Sequence, residues 1–245
     1  MSAVLVIAGV DSSGGAGLSR DVHTLARLGA EALCAVTAVT VQTDARVEAV
    51  ELMAPALVRA QIAAALATGR VRAIKIGMLG ARATVEAVAA GLPARAAVPM
   101  VLDPVLASTS GGALLDEAGR EALCALLVPR ATVLTPNIPE AAELLGAPPA
   151  CCEEELIAQA HALCALGAAA VLMKGGHAAG PLATDLLVSR EAGVRRFAAP
   201  RSGVRHRGTG CALAAGIAAG LAANMELGAA CARAKRHVIE LLQGS

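Results

Sequence analysis

Residues 4–21 read "VLVIAGVDSSGGAGLSRD": an uninterrupted apolar run over 4–10, a glycine-rich polar turn, and the opening of a helix. A run without polar alternation belongs to a strand covered on both faces, the habit of parallel sheets wrapped in helices. The same succession recurs along the chain. Strand candidates fall at 4–10, 32–41, 47–52, 73–79, 98–106, 131–135, 169–174, 183–189 and 194–198. Helix candidates fall at 19–28, 54–68, 81–91, 116–128, 137–145, 152–166, 209–223 and 226–242. This alternation predicts βαβ units, hence a three-layer α/β fold around a central, mostly parallel sheet. Two runs, 38–52 and 183–200, set strand-like segments side by side without a helix, and predict hairpins or a small β flap at a sheet edge. No low-complexity linker or internal repeat interrupts the chain, so residues 1–245 read as a single domain.

Composition narrows the function classes. Apolar residues make up 56% of the chain and charged residues 17%, so a large core is available. A formal net charge of +1 speaks against a general nucleic-acid binder and against a polybasic membrane-surface protein. The most membrane-like stretch, 211–223, is ended by Asn224 and Glu226, short of the ~20 residues that a span takes. Its Gly216 and Gly220 read instead as close-approach positions in a buried helix. The run 4–10 has no basic lead and is too short for a signal segment. Seven cysteines form no CxxC pair, and adjacent Cys151 and Cys152 suit no relaxed disulfide, which predicts reduced thiols in a cytoplasmic protein. Tryptophan and tyrosine are absent, Phe197 is the one phenylalanine, and lysine occurs only at 75, 174 and 235. Where most basic positions are arginine, a lysine marks a place for a compact ammonium on a flexible stem. Two of the three sit at glycine-rich strand ends, "AIKIGMLG" and "VLMKGGH".

In an open α/β sheet ligands bind outside the carboxyl ends of the strands, and the polar and glycine positions gather there. Asp11 with Gly14, Gly15 and Gly17 follows the first strand, and Gln42 the second. Gly77 and Met78 close the fourth, Asp103 the fifth, Asn137 the sixth, and Lys174 with Gly175 and Gly176 the seventh. The first turn lacks the GxGxxG spacing of a dinucleotide site, and no GxxxxGK[ST] occurs, so any ATP is bound without a P-loop. In "TPNIPEAAELL" (135–145) Asn137 precedes Glu140 by three residues. That is the spacing of a capping box, or of a carboxylate that holds Mg²⁺ with its phosphates. Asp103, in "VLDPVL", is a second carboxylate for such an ion or a structural Asp-Pro turn. "RGTGC" places Gly208, Thr209, Gly210 and Cys211 at a helix start, where successive N–H groups and the helix dipole make an anion site. The same field predicts a Cys211 thiol lowered from about 8.5 by a unit or more and able to act as general base toward an alcohol; the alternative is an inert buried thiol.

Taken in order, "AGVDSSGGAG", "DVHTLARLGA", "VTAVTVQT", "KIGML", "VLDPV", "TPNIPEAAELL", "VLMKGGH" and "RGTGCALAAGIAAGLA" resemble the hydroxymethylpyrimidine and phosphomethylpyrimidine kinases of thiamin biosynthesis, members of the ribokinase-like superfamily. The resemblance spans nearly the whole chain. It implies a ribokinase-like fold and ATP-dependent phosphorylation of 4-amino-5-hydroxymethyl-2-methylpyrimidine, then of its monophosphate. It further implies Cys211 as catalytic base, Gly208 to Cys211 as anion hole, and Lys174 and Asn137 on the nucleotide phosphates. Asp103 and Glu140 would lie on the Mg²⁺ side. Gln42 would recognise the pyrimidine, since a carboxamide offers a donor and an acceptor to an aminopyrimidine edge, with Gly9, Asp11, Met78 and Val105 lining the same pocket. A homodimer built through the sheet-edge region is implied as well.

The chain departs from the family pattern twice. Arg207 stands where the family usually has histidine before Gly-Thr-Gly-Cys, with His206 displaced by one. Thr43 and Asp44 follow the glutamine where Asn-Thr is usual. A guanidinium at 207 would favour the monophosphate as acceptor. The rival readings are a pyridoxal or pyridoxine kinase of the same superfamily, and a nucleotide- or precursor-binding regulator without catalysis.

Overall fold

Strand β1 (Ala3–Asp11) is the axis around which the chain is wound. It pairs in parallel with β2 (Glu31–Gln42) on one side and with β4 (Val71–Ile76) on the other. In the computed structural model, which describes residues 3–93, 98–108, 112–175, 181–189, 193–201 and 206–244, all nine strands join one sheet. Beyond β4 follow β5 (Met100–Leu102), β6 (Val133–Leu134) and β7 (Ala170–Met173), all parallel. The edges are antiparallel: β3 (Val47–Leu52) on β2, and β8 (Leu182–Ser189) with β9 (Gly193–Pro200) beyond β7. The two helix-free runs are thus hairpins at opposite sheet edges.

Period-two alternation along β1 divides its side chains between two cores. Leu5 and Ile7 join the layer carrying α2 (Pro55–Ala67), α3 (Arg82–Gly91), α4 (Glu117–Leu126), α5 (Ile138–Leu145) and α6 (Glu153–Ala165). Val4, Val6 and Ala8 face α1 (Gly17–Arg27), α7 (Thr209–Ala222) and α8 (Leu227–Gln243). Each fully buried aliphatic side chain contributes about 1.5–3 kcal/mol, and two such layers explain why β1, β5, β6 and β7 carry almost no polar residues.

Several strands are shorter than their apolar runs. β5 covers three of the residues in the 98–106 run, because Pro104 has no N–H to continue the ladder and the chain turns at Asp103. β4 ends at Ile76, one residue before Gly77, and β6 ends before Pro136. The 116–128 run is helical to Leu126 and then tightens into a 3₁₀ turn over Val128–Arg130 around Pro129. Gly176, His177 and Arg205, which the sequence places beside Lys174 and the "GTGC" motif, lie outside the described residues.

Helix α7 is buried continuously from Ala212 to Ala222, which accounts for its alanine-rich composition. It packs on the sheet and against α8 so closely that a Cβ on Gly216 would lie 2.9 Å from the Ala234 Cβ, and one on Gly220 2.7 Å from the Ala230 Cβ. Among the described residues, no helix is long and apolar enough to cross a membrane. Gly220→Val should therefore destabilise the protein by about 2 kcal/mol through overpacking, read as a lower urea midpoint at unchanged m-value; an unchanged midpoint would show that α7 and α8 have room to separate.

Candidate active site

The carboxyl ends of the parallel strands and the N-terminus of α7 enclose a cleft of about 410 Å³. Gly9, Asp11, Gln42, Met78 and Val105 line it, as do Asp103, Asn137, Glu140 and Lys174 and the run Gly208, Thr209, Gly210, Cys211. These thirteen candidate site residues are thus brought to one place, although they come from seven separate segments; of the glycines marked beside them, Gly17 lines the cleft while Gly14, Gly15, Gly77 and Gly175 do not.

Buried charge dominates its floor. The Lys174 ammonium donates to Asp103 Oδ1 at 2.8 Å and lies 3.4 Å from Glu140 Oε2. Thr135 Oγ1 donates to the same Asp103 oxygen at 3.1 Å. Burial works to raise the Asp103 carboxyl, but the Lys174 and Lys75 ammonium groups outweigh it and hold the carboxyl below its usual range. Glu140 is pushed up by burial, with Lys174 opposing and Asp103 reinforcing the rise. Burial also works against the charge on Lys174, yet Asp103 and Glu140 more than restore it, and its pKa is raised. Glu140 is in addition half of a capping box: its Oε2 accepts the Asn137 N–H at 2.7 Å while Asn137 Oδ1 accepts the Glu140 N–H at 2.8 Å. The cap holds the carboxylate at the cleft instead of competing with a role there.

The start of α7 is open. Its N-cap, Gly208, has a left-handed φ of 73°, and among the described residues no side chain caps the first-turn N–H groups. A Cβ at 208 would collide with the Gly15 carbonyl oxygen, so only glycine brings the two loops together. Lys174 Nζ approaches to 3.3 Å of the point where a Gly210 Cβ would sit, so an ammonium and the uncapped N–H groups converge, an arrangement suited to a phosphate.

Cys211 departs from the expectation of a lowered thiol. Burial pushes it up to about 11, with the charges of Asp21 and Asp103 adding to the rise; Lys75 and the Gly17 backbone N–H pull the other way. Desolvation and the two carboxylates outweigh Lys75 and the Gly17 N–H, and the resting thiol is protonated at neutral pH.

Elsewhere in the cleft, Gln42 is held three times: its Oε1 accepts from Thr40 Oγ1 at 3.2 Å, its N–H donates to Ser12 Oγ at 2.9 Å, and its carbonyl accepts from the same hydroxyl at 3.1 Å. Gly9 lies where β1 and β2 shift register, and a Cβ there would sit 2.9 Å from Met78 Sδ, so the glycine makes room for the methionine. The Arg207 guanidinium, at the rim of the cleft, is taken up by Asp11, Ser13, Thr43 and Asp44.

The sequence matches the phosphomethylpyrimidine kinase family over residues 11–245. The chain belongs to this family. It is 44% identical to the hydroxymethylpyrimidine/phosphomethylpyrimidine kinase of Salmonella typhimurium over 216 residues, 88% of this chain and 81% of that protein. The crystal structure of phosphomethylpyrimidine kinase from Clostridium difficile 630 superposes with a TM-score of 0.84 at 32% identity, covering 99% of this chain and 100% of that one. Pyridoxal kinase from Staphylococcus aureus, solved with AMP-PCP and pyridoxal, gives 0.87 at 29% identity over 96% of this chain and 85% of that one. The fold is ribokinase-like, and the protein is a kinase of thiamin biosynthesis that uses ATP.

The partner of one marked lysine of this kinase's cleft escaped the sequence reading. Lys75 lies wholly buried in β4 and donates to Asp21 Oδ2 of α1 at 2.6 Å. Burial pushes Asp21 up to about 6 even against the Lys75 charge, and its Oδ1 has no hydrogen-bond partner among the described residues. A lysine in the middle of the apolar "AIKI" demanded a buried carboxylate, and Asp21 on α1 was available to supply it.

A thiol raised toward 11 is neutral below its unfolded-state value and charges only as the pH climbs through the folded one. In the nucleotide-free kinase, iodoacetamide at pH 8 should modify exposed Cys152 well before Cys211, and Cys211 alkylation should rise steadily between pH 8 and 11. Peptide mass spectrometry reads both; a plateau reached below pH 8 would mean that the thiolate is already formed.

Proposed function

We propose that this cleft carries out both family phosphorylations, of 4-amino-5-hydroxymethyl-2-methylpyrimidine and then of its monophosphate, with Cys211 beside the acceptor oxygen. The observation that carries the reading is convergence: Gln42, Gly9, Asp11, Met78 and Val105 on the ring side and Asn137, Lys174 and Gly208 to Cys211 on the phosphate side line one cavity. In the first transfer the substrate hydroxyl attacks the γ-phosphorus of ATP, the bond to ADP breaks, and the hydroxyl proton must leave. Cys211 receives it. Phosphoryl transfer runs through a loose transition state in which that proton is shed late, so a scarce but strongly basic thiolate serves, stabilised by Lys75 and by the start of α7. Lys174 and the uncapped N–H groups of Gly208 to Cys211 take up charge on the transferring phosphoryl.

The residues also fit Mg²⁺. Asp103 and Glu140 offer oxygen donors suited to a hard cation. Among the described residues no group of three or more His, Cys, Asp or Glu could cage an ion, but Mg²⁺ needs only one or two carboxylates beside phosphate oxygens and water. Glu140, less enclosed than Asp103 at 8% against 1% exposure, would hold it directly or through water. Bound there, Mg²⁺ neutralises charge on the nucleotide phosphates.

The same reading carries a cytoplasmic homodimer without nucleic-acid or membrane partners. Support for the dimer is the exposed apolar side chains at the β2–β3 edge, Val39 and Val41 on one face of the hairpin and Val50 and Leu52 on the other.

The test is ADP release with ATP–Mg²⁺ and each of three acceptors: the hydroxymethylpyrimidine, its monophosphate and pyridoxal. Turnover of the two pyrimidines well above pyridoxal is expected. Cys211→Ala should lower kcat for the hydroxymethyl compound by about a hundredfold or more. The monophosphate arrives already anionic and should lose less than about tenfold. Equal losses in both steps would remove Cys211 from the proton transfer.

A further inference from the structure

Arg207 is the residue on which the two departures from the family pattern meet. Its Nη1 donates to Ser13 Oγ at 2.8 Å, to the Thr43 carbonyl at 3.1 Å and to Asp44 Oδ1 at 3.1 Å; its Nη2 donates to Asp11 Oδ2 at 2.9 Å. One guanidinium thus joins three segments far apart in the chain: the loop after β1, the turn between β2 and β3, and the approach to α7. Its firm anchor is Asp11, only 4% exposed, whose other oxygen accepts from the Ser13 N–H and hydroxyl at 2.9 and 2.8 Å. Asp44 is the outer contact, with a side chain 91% exposed, and an ion pair so open to water contributes little by itself. Gly15 makes the space, since a Cβ there would sit 3.2 Å from Arg207 Nη1.

We propose that Arg207 is a positioning residue for the acceptor, a clasp that fixes the turn carrying Gln42 against the loop carrying Asp11 and so sets the ring pocket. The proposal rests on the kinase reading above. Two carboxylates, a hydroxyl and a carbonyl already occupy the guanidinium, so its work is geometric. Ser12 stitches the same two segments through both backbone groups of Gln42; beyond residue 42 Thr43 and Arg46 close the turn on itself, and Arg207 ties it to the loop after β1. The phosphate-side groups Asn137 and Lys174 are held by other contacts, through Glu140 and Asp103. Gly208, next to Arg207, is held separately by the Ala212 N–H of the first turn of α7 and by its close approach to Gly15, so loss of the clasp loosens chiefly the ring side of the cleft.

The experiment combines kinetics and amide hydrogen exchange on the full chain, comparing wild type with Arg207→Ala, Arg207→Lys and Asp44→Ala. Arg207→Ala should raise KM for the hydroxymethylpyrimidine about tenfold with KM for ATP changed less than about twofold, and should speed exchange of the Thr43 to Arg46 amides while those of α8 keep their protection. Arg207→Lys should recover part of both effects, and Asp44→Ala should raise the acceptor KM by less than about threefold. Equal rises in both KM values, a fall in kcat alone, or unchanged exchange at the turn would overturn the clasp. If wild type turns over neither pyrimidine while Arg207→Ala still loosens the turn, the functional reading falls, and the acceptor role with it, while the structural tie stands.

Discussion

The ion pair between Lys174 and Asp103 is the constraint that the carboxyl edge of the sheet is built around. The two residues follow β7 and β5, which are not neighbours; the two-residue strand β6 lies between them. A strand so short supplies few ladder bonds, and the edge is completed above it by side chains and loops. Thr135 donates to Asp103, the Lys174 N–H donates to the Pro136 carbonyl, and the ammonium spans from Asp103 toward Glu140. Taking such charges out of water costs several kcal/mol per ion, and a well-packed apolar pair would hold the strands as well. The pair earns its place as charge held ready, because an incoming polyphosphate meets an ammonium that needs no reorganisation.

The other two lysines follow the same rule. Lys75 is buried against Asp21, and Lys235 of α8 donates to Asp185 Oδ2 at 2.8 Å. Asp185 Oδ1 in turn accepts the Gly175 N–H at 2.9 Å, so Lys235 steadies the residue next to Lys174 without lining the cleft itself. In a chain whose basic residues are otherwise arginine, all three lysines sit in buried pairs with aspartate. That arrangement also explains the thiol. Burial raises the Cys211 thiol most, and the Asp21 and Asp103 carboxylates that keep the ammonium groups charged add to the rise, so a resting thiolate is opposed even though Lys75 favours it.

The fold was legible because its signal is cumulative: each apolar run bounded by glycine, aspartate or proline marks a strand, and each alanine-rich stretch between them marks a helix. The convergence of site residues was legible for the same reason, since turns after parallel strands all reach one edge. Three things were not. Strand ends were overestimated wherever proline or glycine broke the ladder inside an apolar run, as at Pro104 and Gly77. The partner of Lys75 was hidden because Asp21 and Lys75 are 54 positions apart, and nothing local pairs them. The thiol was misjudged because a helix start is visible in "RGTGC" whereas its burial, and the charges that reach it from α1, β4 and the end of β5, are not.

The two sides of the cleft are held by different means, and this bears on which ring is accepted. The phosphate side rests on buried ion pairs between strand ends and on a glycine-capped helix start, devices indifferent to what the phosphoryl group is transferred to. The ring side rests on an edge hairpin, with Gln42 at the end of its inner strand and exposed neighbours beyond it. A fold shared with a pyridoxal kinase across nearly the whole chain does not choose the ring by itself, so the choice must come from the ring side. That is also where Arg207, Thr43 and Asp44 depart from the family pattern together, and where they touch each other. An edge turn supported by few buried contacts is the part of such a molecule most easily retuned. Tying it with one arginine to a buried aspartate gives it a fixed geometry while the sheet and its charged floor stay as they are.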